Sequence, residues 1–278
     1  MDDIWRDDDN ICHREELAKR WLGGRGIEIG GLHKPTAVGP NTLVRFVDYK
    51  TKQQNEARYP ELAGQQIVET NIIDDGFTLS KLRDCSEDFV IANHALEHSP
   101  DPLGTLKIWA SKVNRGGKIY FAVPIGEKCY DQGRAVTTIE HIRSDHSAFV
   151  CGDITAIARD TENHLRDFAT ISGENIRRSM HLEPSRSQEI EALVSSLVPP
   201  LLADLGRAGL TSSTKVRYAE LIAAHVRRIN FVYDIHYHVF SPRSVLALAE
   251  FFSSENGCRV LECRKSGSGE CIVVLERL

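Results

Sequence analysis

Short apolar runs alternate with helical patterns along the first half of the chain. This alternation is typical of βαβ units, in which a helix joins two parallel strands. Five runs rich in Ile and Val are predicted strands, at residues 26–30, 43–48, 67–71, 88–93 and 118–123. Because these runs are almost continuously apolar, we expect a parallel sheet that is buried on both faces.

The clearest predicted helix follows the fourth strand. Asp101 suits the N-cap and Pro102 the first helical position. Apolar residues then recur at helical spacing, at Leu103, Leu106, Ala110 and Val113. The sequence NRGG at 114–117 is expected to end this helix before the fifth strand begins.

The second half of the chain contains two segments with different patterns of apolar residues. Residues from about 150 to 232 have a helical pattern, with breaks around 172–187 and at Pro199-Pro200. A further helix is expected to begin near Pro242, and runs at 258–264 and 271–276 flank a Gly-Ser-Gly turn and predict a hairpin. The predicted fold is therefore a Rossmann-like, doubly wound, mainly parallel seven-stranded sheet with an antiparallel C-terminal hairpin and a mainly helical insertion.

This pattern predicts three segments. Residues 1–125 form the N-terminal part of a Rossmann-like cofactor-binding domain, and 126–240 form a helical insertion that caps an acceptor pocket. Residues 241–278 add the helix and hairpin that complete the sheet.

Composition and charge exclude several classes of protein. A formal net charge of -5 gives no general attraction to nucleic acid, so we expect no nucleic-acid partner. The acidic start MDDIWRDDDN lacks the features of a secretory signal, and no apolar run is long enough to span a membrane. The seven cysteines form no CxxC pair. Together these features predict reduced thiols and a cytoplasmic location.

Acidic, amide and glycine residues follow the predicted parallel strands. They lie at or just beyond the strand ends: Glu28, Gly30 and Gly31 close the first strand, Asp48 ends the second, Asp74 or Asp75 follows the third, and Asn93 ends the fourth. The carboxyl ends of parallel strands line the ligand crevice of such sheets, so these residues are expected to meet there. Glycines allow close approach of backbone to ligand, and an acidic residue about twenty positions later suits two ribose hydroxyls. A dehydrogenase would have GxGxxG, whereas positions 30–35 are GGLHKP.

These residues resemble the motifs of the class I S-adenosylmethionine-dependent methyltransferases. The acidic-apolar-glycine end of the family's first strand matches Glu28-Ile29-Gly30, and its second acidic residue matches Asp48. Its third-motif aspartate matches Asp74, with Asp75 as the alternative. The sequence ANHALEHSPDP at 92–102 resembles the family's segment after the fourth strand. The resemblance covers residues 25–125 and the terminal hairpin. It implies S-adenosylmethionine as cofactor, bound by Glu28, Gly30, Gly31, Asp48, Asp74 and Asn93.

One position departs from the family's pattern. Leu32 stands where a second glycine is common, so we expect the loop to meet the methionine part of the cofactor differently. The sequences GIEIGGLHKP and VIANHALEH are similar to methyltransferase domains found beside glycosyltransferases in polysaccharide gene clusters. That similarity implies a small-molecule or glycan acceptor, with methylation of a sugar or related hydroxyl.

Histidines are the candidate catalytic residues. Transfer to oxygen requires positioning and a base of near-neutral pKa, which imidazole provides. We expect the base to be one of three histidines that follow predicted strands or end the insertion, His94, His141 and His238.

Three alternatives stay open. A divalent metal bound by some of His94, His141, Asp145, His146 and His238 is conceivable, but no spacing is diagnostic and the sequence assigns no metal. The acceptor atom could instead be a nitrogen or belong to a peptide side chain. The altered glycine loop also allows a non-catalytic, cofactor-binding partner in a biosynthetic complex. The sequence does not indicate the oligomeric state.

Overall fold

The computed structural model describes residues 13–181 and 235–278, together with isolated positions and short runs between 183 and 203. Much of the helical pattern predicted between 182 and 232 therefore lies outside the described residues. The chain divides into two compact units. The first comprises residues 1–96, 105–123 and 245–278, and the second comprises 97–104 and 124–244.

A seven-stranded sheet forms the centre of the first unit. Its strands are β1 (Gly24–Ile29), β2 (Thr42–Asp48), β3 (Ile72–Ile73), β4 (Glu87–Asn93), β5 (Val113–Pro124), β6 (Cys258–Lys265) and β7 (Glu270–Arg277). Their order is β3-β2-β1-β4-β5-β7-β6. Strands β1 to β5 pair in parallel, and β6 pairs antiparallel with β7. The predicted fold class is confirmed.

The central strands are buried because both faces of the sheet are covered. Residues 89–92 of β4 and 272–275 of β7 are completely inaccessible to solvent, which explains their unbroken apolar sequences. One cluster joins the N-terminal helix to the sheet and contains Leu17, Ala18, Leu22, Phe89, Ile91, Tyr120, Ala122, Ile272 and Val274. This core fixes the strand ends at which the candidate site lies.

Helices follow the strands along the chain. Their bounds are α1 (Arg14–Trp21), α2 (Lys52–Arg58), α3 (Pro102–Lys112), α4 (Ile139–Cys151), α5 (Ile154–Asp167), α6 (Gly173–Ser179) and α7 (Pro242–Glu255). The expected N-cap of α3 is present, since Asp101 Oδ1 accepts from Gly104 N at 2.9 Å. No helix among the described residues is both long and apolar enough to cross a membrane.

The third predicted strand was misplaced. Residues 67–71 form no strand, and the parallel pairing is limited to Ile72 and Ile73 beside the end of β2. Asn71 instead contacts β2 through both its backbone and its side chain: Asn71 N donates to Phe46 O at 2.9 Å, and Phe46 N donates to Asn71 Oδ1 at 2.8 Å. The apolar run reflects burial of Ile67 under this connection, not strand pairing.

The boundary between α3 and β5 also differs from the prediction. The helix ends at Lys112, and β5 starts at Val113, so the glycines at 114–117 lie inside the strand. Val113 pairs with Glu87 before the register shifts, which makes the NRGG segment an irregularity in the ladder. Gly116 has a φ of 76°, a left-handed conformation that favours glycine.

The described part of the second unit is mainly helical. Helices α4 and α5 have side-chain N-caps, because Thr138 accepts from His141 N and Asp153 accepts from Ala156 N. A π-helical turn at Phe168–Ser172 joins α5 to α6. The helices share a core of nine buried residues, Ala148, Phe149, Ile157, Leu165, Phe168, Ala169, Ile176, Ile235 and Tyr237.

Candidate functional site

The loop after β1 has the backbone shape that close ligand approach requires. Gly30 has a φ of 65° and open space where a Cβ would lie, whereas a Cβ on Gly31 would lie 2.8 Å from the Phe46 ring. Leu32 also has a positive φ, 42°. The residue that departs from the family's glycine pattern therefore keeps a glycine-like backbone.

The side chain of Glu28 holds this loop in place through hydrogen bonds. Its buried carboxylate accepts from Thr36 N at 3.0 Å and from Thr36 Oγ1 at 2.9 Å, and Asn93 Nδ2 donates to Thr36 Oγ1 at 2.7 Å. Burial raises the pKa of Glu28, and the hydrogen bonds from Thr36 oppose that rise. The sequence predicted Glu28 and Asn93 as cofactor ligands but gave no indication of Thr36, which closes the loop between them.

Asn93 also presents an unmatched acceptor. Among the described residues, its buried Oδ1 has no hydrogen-bond partner. An unpaired buried acceptor is unfavourable, so such atoms in native proteins call for an explanation, often a ligand or a water. This atom belongs to the residue that ends β4, and the Nδ2 of the same side chain also donates to Glu28 Oε1 at 3.4 Å.

Asp48 is held at the end of β2 with acceptor capacity to spare. Its Oδ1 accepts from Lys50 N at 2.9 Å and its Oδ2 from Asn55 Nδ2 at 3.0 Å. Burial raises the pKa of Asp48, and these two hydrogen bonds offset only part of that rise. Each carboxylate oxygen has a second lone-pair direction, so Asp48 can still accept from a pair of hydroxyls.

The carboxylate of Asp74 accepts more hydrogen bonds than that of Asp48. It accepts from Asp75 N, Ser80 Oγ and Lys81 N at 2.9, 2.9 and 2.7 Å. It therefore fixes the turn after β3, and the predicted contact of Asp74 with the cofactor stays a prediction. Asp75 likewise accepts from the backbone of the same turn.

His94 follows β4 directly and forms a dyad with Glu270. Its Nε2 lies 2.8 Å from Glu270 Oε2, while Arg14 Nε donates to Glu270 Oε1 at 2.8 Å. Burial of Glu270 favours the neutral acid, but the contacts with His94 and Arg14 outweigh it and lower the pKa to about 2. His94 has a φ of 52°, which turns it out of the strand direction.

The other two predicted bases lie in the second unit and meet there. His141 and His238 converge with Asp145 and His164 in a group that we call the four-residue cluster. Nε2 of His141 lies 3.4 Å from Asp145 Oδ2 and 3.2 Å from His164 Nε2. The Nε2 atoms of His164 and His238 each lie 3.9 Å from the same Oδ2.

Burial dominates the electrostatics of this cluster. It lowers the pKa of His164 to about 4 and that of His238 well below its ordinary value, and it raises the pKa of Asp145 to about 7. His238 is completely buried, so it is poorly placed to take a proton from an external acceptor. His164 was not predicted, because no local pattern links it to α4.

A second hydrogen-bonded network lies in the same unit. His236 Nδ1 is 2.5 Å from Asp131 Oδ2 and its Nε2 is 2.5 Å from the Tyr130 hydroxyl, while Arg134 Nη1 donates to Asp131 Oδ1 at 2.8 Å. Burial acts to raise the pKa of Asp131, but His236 and Arg134 hold it below its usual range. These groups satisfy one another, which indicates a structural role.

The fold is that of a doubly wound α/β protein, and its candidate site lies at the carboxyl ends of β1, β2 and β4. No family model matches the chain, and no curated protein matches it.

Several solved structures resemble the chain at low similarity. A SAM-dependent methyltransferase from Aquifex aeolicus shares 11% identity over 95% of this chain and 89% of its own, with a TM-score of 0.42. An arsenic(III) S-adenosylmethionine methyltransferase from Chlamydomonas reinhardtii shares 23% identity over 41% of this chain and 43% of its own, with a TM-score of 0.31. A structure described as a Zn-dependent alcohol dehydrogenase from Rhodobacter sphaeroides shares 12% identity over 99% and 92%, with a TM-score of 0.45.

The extent of these matches varies. The chain spans about half the length of some of the structures it matches. The aligned part covers 43% of the arsenic(III) methyltransferase, 49% of a CurJ carbon methyltransferase and 55% of a chain in a complex between the Haloferax volcanii Trm112 methyltransferase activator and a methyltransferase. Because the TM-scores are below 0.5, these likenesses carry no conclusion about function, which has to come from the residues of the site.

Proposed function

We propose that this protein is an S-adenosylmethionine-dependent methyltransferase that methylates a hydroxyl of a sugar or related small molecule. The observation that carries the proposal is the arrangement at the ends of β1, β2 and β4. There a glycine loop with left-handed backbone at Gly30 and Leu32 is tied through Glu28 and Thr36 to Asn93. The sheet order and its antiparallel end agree with the resemblance that the sequence motifs indicate.

The residues present fit the cofactor. Asn93 Oδ1 is a buried acceptor without a partner among the described residues, and it suits an ammonium donor such as that of the methionine moiety. Asp48 keeps the capacity to accept from both ribose hydroxyls, and the absence of a side chain at Gly30 permits close approach of the backbone. When bound, S-adenosylmethionine supplies an electrophilic methyl group on a sulfonium ion.

His94 is the proposed general base. When its Nε2–H donates to Glu270, Nδ1 carries the lone pair that takes the acceptor proton. Methylation of the acceptor oxygen would release S-adenosylhomocysteine, and His94 Nδ1 would hold the proton that this oxygen gives up. Glu270 stabilises the imidazolium that forms, and its low pKa keeps it ionised for that task. His238 is excluded from this role by its complete burial.

Cofactor binding is tested with Asp48→Ala and a matched control. We expect Asp48→Ala to weaken S-adenosylhomocysteine binding about 10- to 100-fold, because two hydrogen bonds to a charged group are lost. Asp84→Ala removes an exposed carboxylate of the same unit that pairs with Lys112, so its affinity should match that of the wild type. Equal affinities for both variants would contradict the proposed ribose contact.

The base is tested separately. His94→Gln should lower turnover about 100-fold or more with a changed pH profile, while cofactor affinity stays within about threefold. An unchanged rate for His94→Gln together with a loss for His141→Gln would move the base to the second unit. Cofactor binding without methylation of any acceptor, including sugars, amines and peptides, would instead indicate a non-catalytic module.

A further inference from the structure

Three imidazoles and one carboxylate from separate elements meet in the four-residue cluster. Helix α4 contributes His141 and Asp145, which lie four residues apart and so share a face. Helix α5 contributes His164, and the segment before α7 contributes His238. One ligand atom of each residue lies within 4.8 Å of those of the others.

Two members of this cluster, Asp145 and His238, are buried and lack hydrogen bonds among the described residues. Among the described residues, neither oxygen of Asp145 and neither ring nitrogen of His238 has a hydrogen-bond partner. Their side chains are 3% and 0% exposed. A buried carboxylate beside a buried imidazole is strongly unfavourable unless something compensates it. Both residues therefore indicate a bound group that satisfies their lone pairs.

The spacing matches a tetrahedral metal site. With metal–ligand bonds of about 2.0–2.1 Å, tetrahedral geometry separates the ligand atoms by about 3.3–3.4 Å. The cluster shows 3.2 Å between His141 and His164, 3.4 Å between His141 and Asp145, and 3.9 Å from Asp145 to each of the other two. The ligand atom of His238 lies within 4.8 Å of those of His141 and His164, so closing the site around an ion requires ring shifts of up to about 1 Å.

One of the segments that carry the four ligands is held by a buried arginine. Arg134 fixes the segment that carries His238, since it donates to His236 O at 2.9 Å and to Tyr237 O at 3.3 Å.

We propose that His141, Asp145, His164 and His238 bind one divalent first-row transition metal ion, with Zn²⁺ as the best fit. Three neutral imidazoles and a carboxylate are the ligand types that Zn²⁺ prefers, and a four-coordinate set of protein ligands is typical of a structural zinc site. The ion ties α4, α5 and the segment before α7 together. A small cavity lined by Pro100, Asp145, His164 and Tyr237 adjoins the cluster. This site does not depend on the proposed methyl transfer.

Metal content and Co²⁺ spectroscopy test the proposal without any activity assay. The untagged full-length protein, purified without chelator, should contain about one Zn²⁺, Fe²⁺ or Mn²⁺ ion per chain by elemental mass spectrometry. After removal of the metal, Co²⁺ alone should bind with 1:1 stoichiometry and produce the visible absorption bands of tetrahedral Co²⁺. Added Zn²⁺ should abolish those bands and raise the melting temperature.

Matched variants locate the ion. Asp145→Asn preserves the shape of the side chain but removes its charge, and it should lose both stoichiometric metal and the Co²⁺ bands. His181→Gln removes an exposed histidine of the same unit, so it should keep both. The Co²⁺ titration of the wild-type protein tests the site whether or not Asp145→Asn folds. Less than about 0.1 metal ion per chain with no saturable Co²⁺ spectrum would overturn the proposal, as would full metal binding by Asp145→Asn.

Discussion

Glu270→Gln is the substitution whose effect follows most directly from the structure. The pKa of Glu270 falls from 4.5 to about 2, because the contacts with His94 and Arg14 outweigh the effect of burial. A folded-state pKa below the unfolded value means that the carboxylate stabilises the fold above about pH 4.5. That contribution is lost as the pH falls toward 2.

The magnitude follows from the same values. A fall in the pKa from 4.5 to about 2 corresponds to a stabilisation of the folded state by about 3 kcal/mol at pH 7, since a shift of one pKa unit is equivalent to about 1.4 kcal/mol. The side chains of Arg14 and His94 are 27% and 44% exposed, so solvent screens part of this interaction. Glutamine also keeps some of the hydrogen bonding. We therefore expect Glu270→Gln to lower the free energy of unfolding by about 1–2 kcal/mol at pH 7.

Urea unfolding followed by tryptophan fluorescence measures this change, because Trp21 and Trp109 both belong to the first unit. The difference from the wild type should shrink as the pH is lowered from about 4.5 toward 3. Glu276→Gln is the control on the same strand. Glu276 pairs with Lys118 and with an exposed arginine, so its loss should cost no more than about 0.5 kcal/mol. A variant as stable as the wild type at pH 7, or a difference that grows on acidification, would refute the reasoning.

Three further substitutions test the fold and its networks. Gly30→Ala should cost about 1–2 kcal/mol through its φ of 65° alone, since its Cβ would meet no atom, and it should weaken cofactor binding measured by calorimetry. Phe89→Ala should lower the free energy of unfolding by about 3–5 kcal/mol in urea, because the side chain is completely buried in β4; a loss under 1 kcal/mol would contradict the packing described. Asp131→Asn should lower the free energy of unfolding by about 3–5 kcal/mol at pH 7, because it leaves the buried Arg134 without its carboxylate. The difference in stability from the wild type should become smaller below about pH 4, because Asp131 of the wild type then begins to be protonated.

The sequence predicted the sheet because its central strands are buried on both faces. Continuous apolar runs such as 88–93 have no amphipathic alternative, so they mark strands almost to the residue. The third strand was misplaced because it pairs through only Ile72 and Ile73, too few positions to leave a pattern. The start of β5 was missed because its glycines signal a break, whereas the structure uses them inside an irregular ladder.

The candidate site was predictable only where its residues follow strands. Gly30, Asp48 and Asn93 were found from their positions at strand ends. The partner of His94 was not, because Glu270 is 176 residues away and nothing local marks it. The i, i+4 spacing of His141 and Asp145 indicated two of the residues in the four-residue cluster. His164 and His238 come from other elements, and only the tertiary structure brings them close.

Calorimetric titration of the wild-type protein with S-adenosylmethionine, with NAD as the comparison, tests the central claim most directly. We expect 1:1 binding of S-adenosylmethionine in the micromolar range, comparable binding of S-adenosylhomocysteine, and no measurable heat of binding with NAD. Binding of NAD without S-adenosylmethionine, or no binding of either, would contradict the assignment of the site at the ends of β1, β2 and β4.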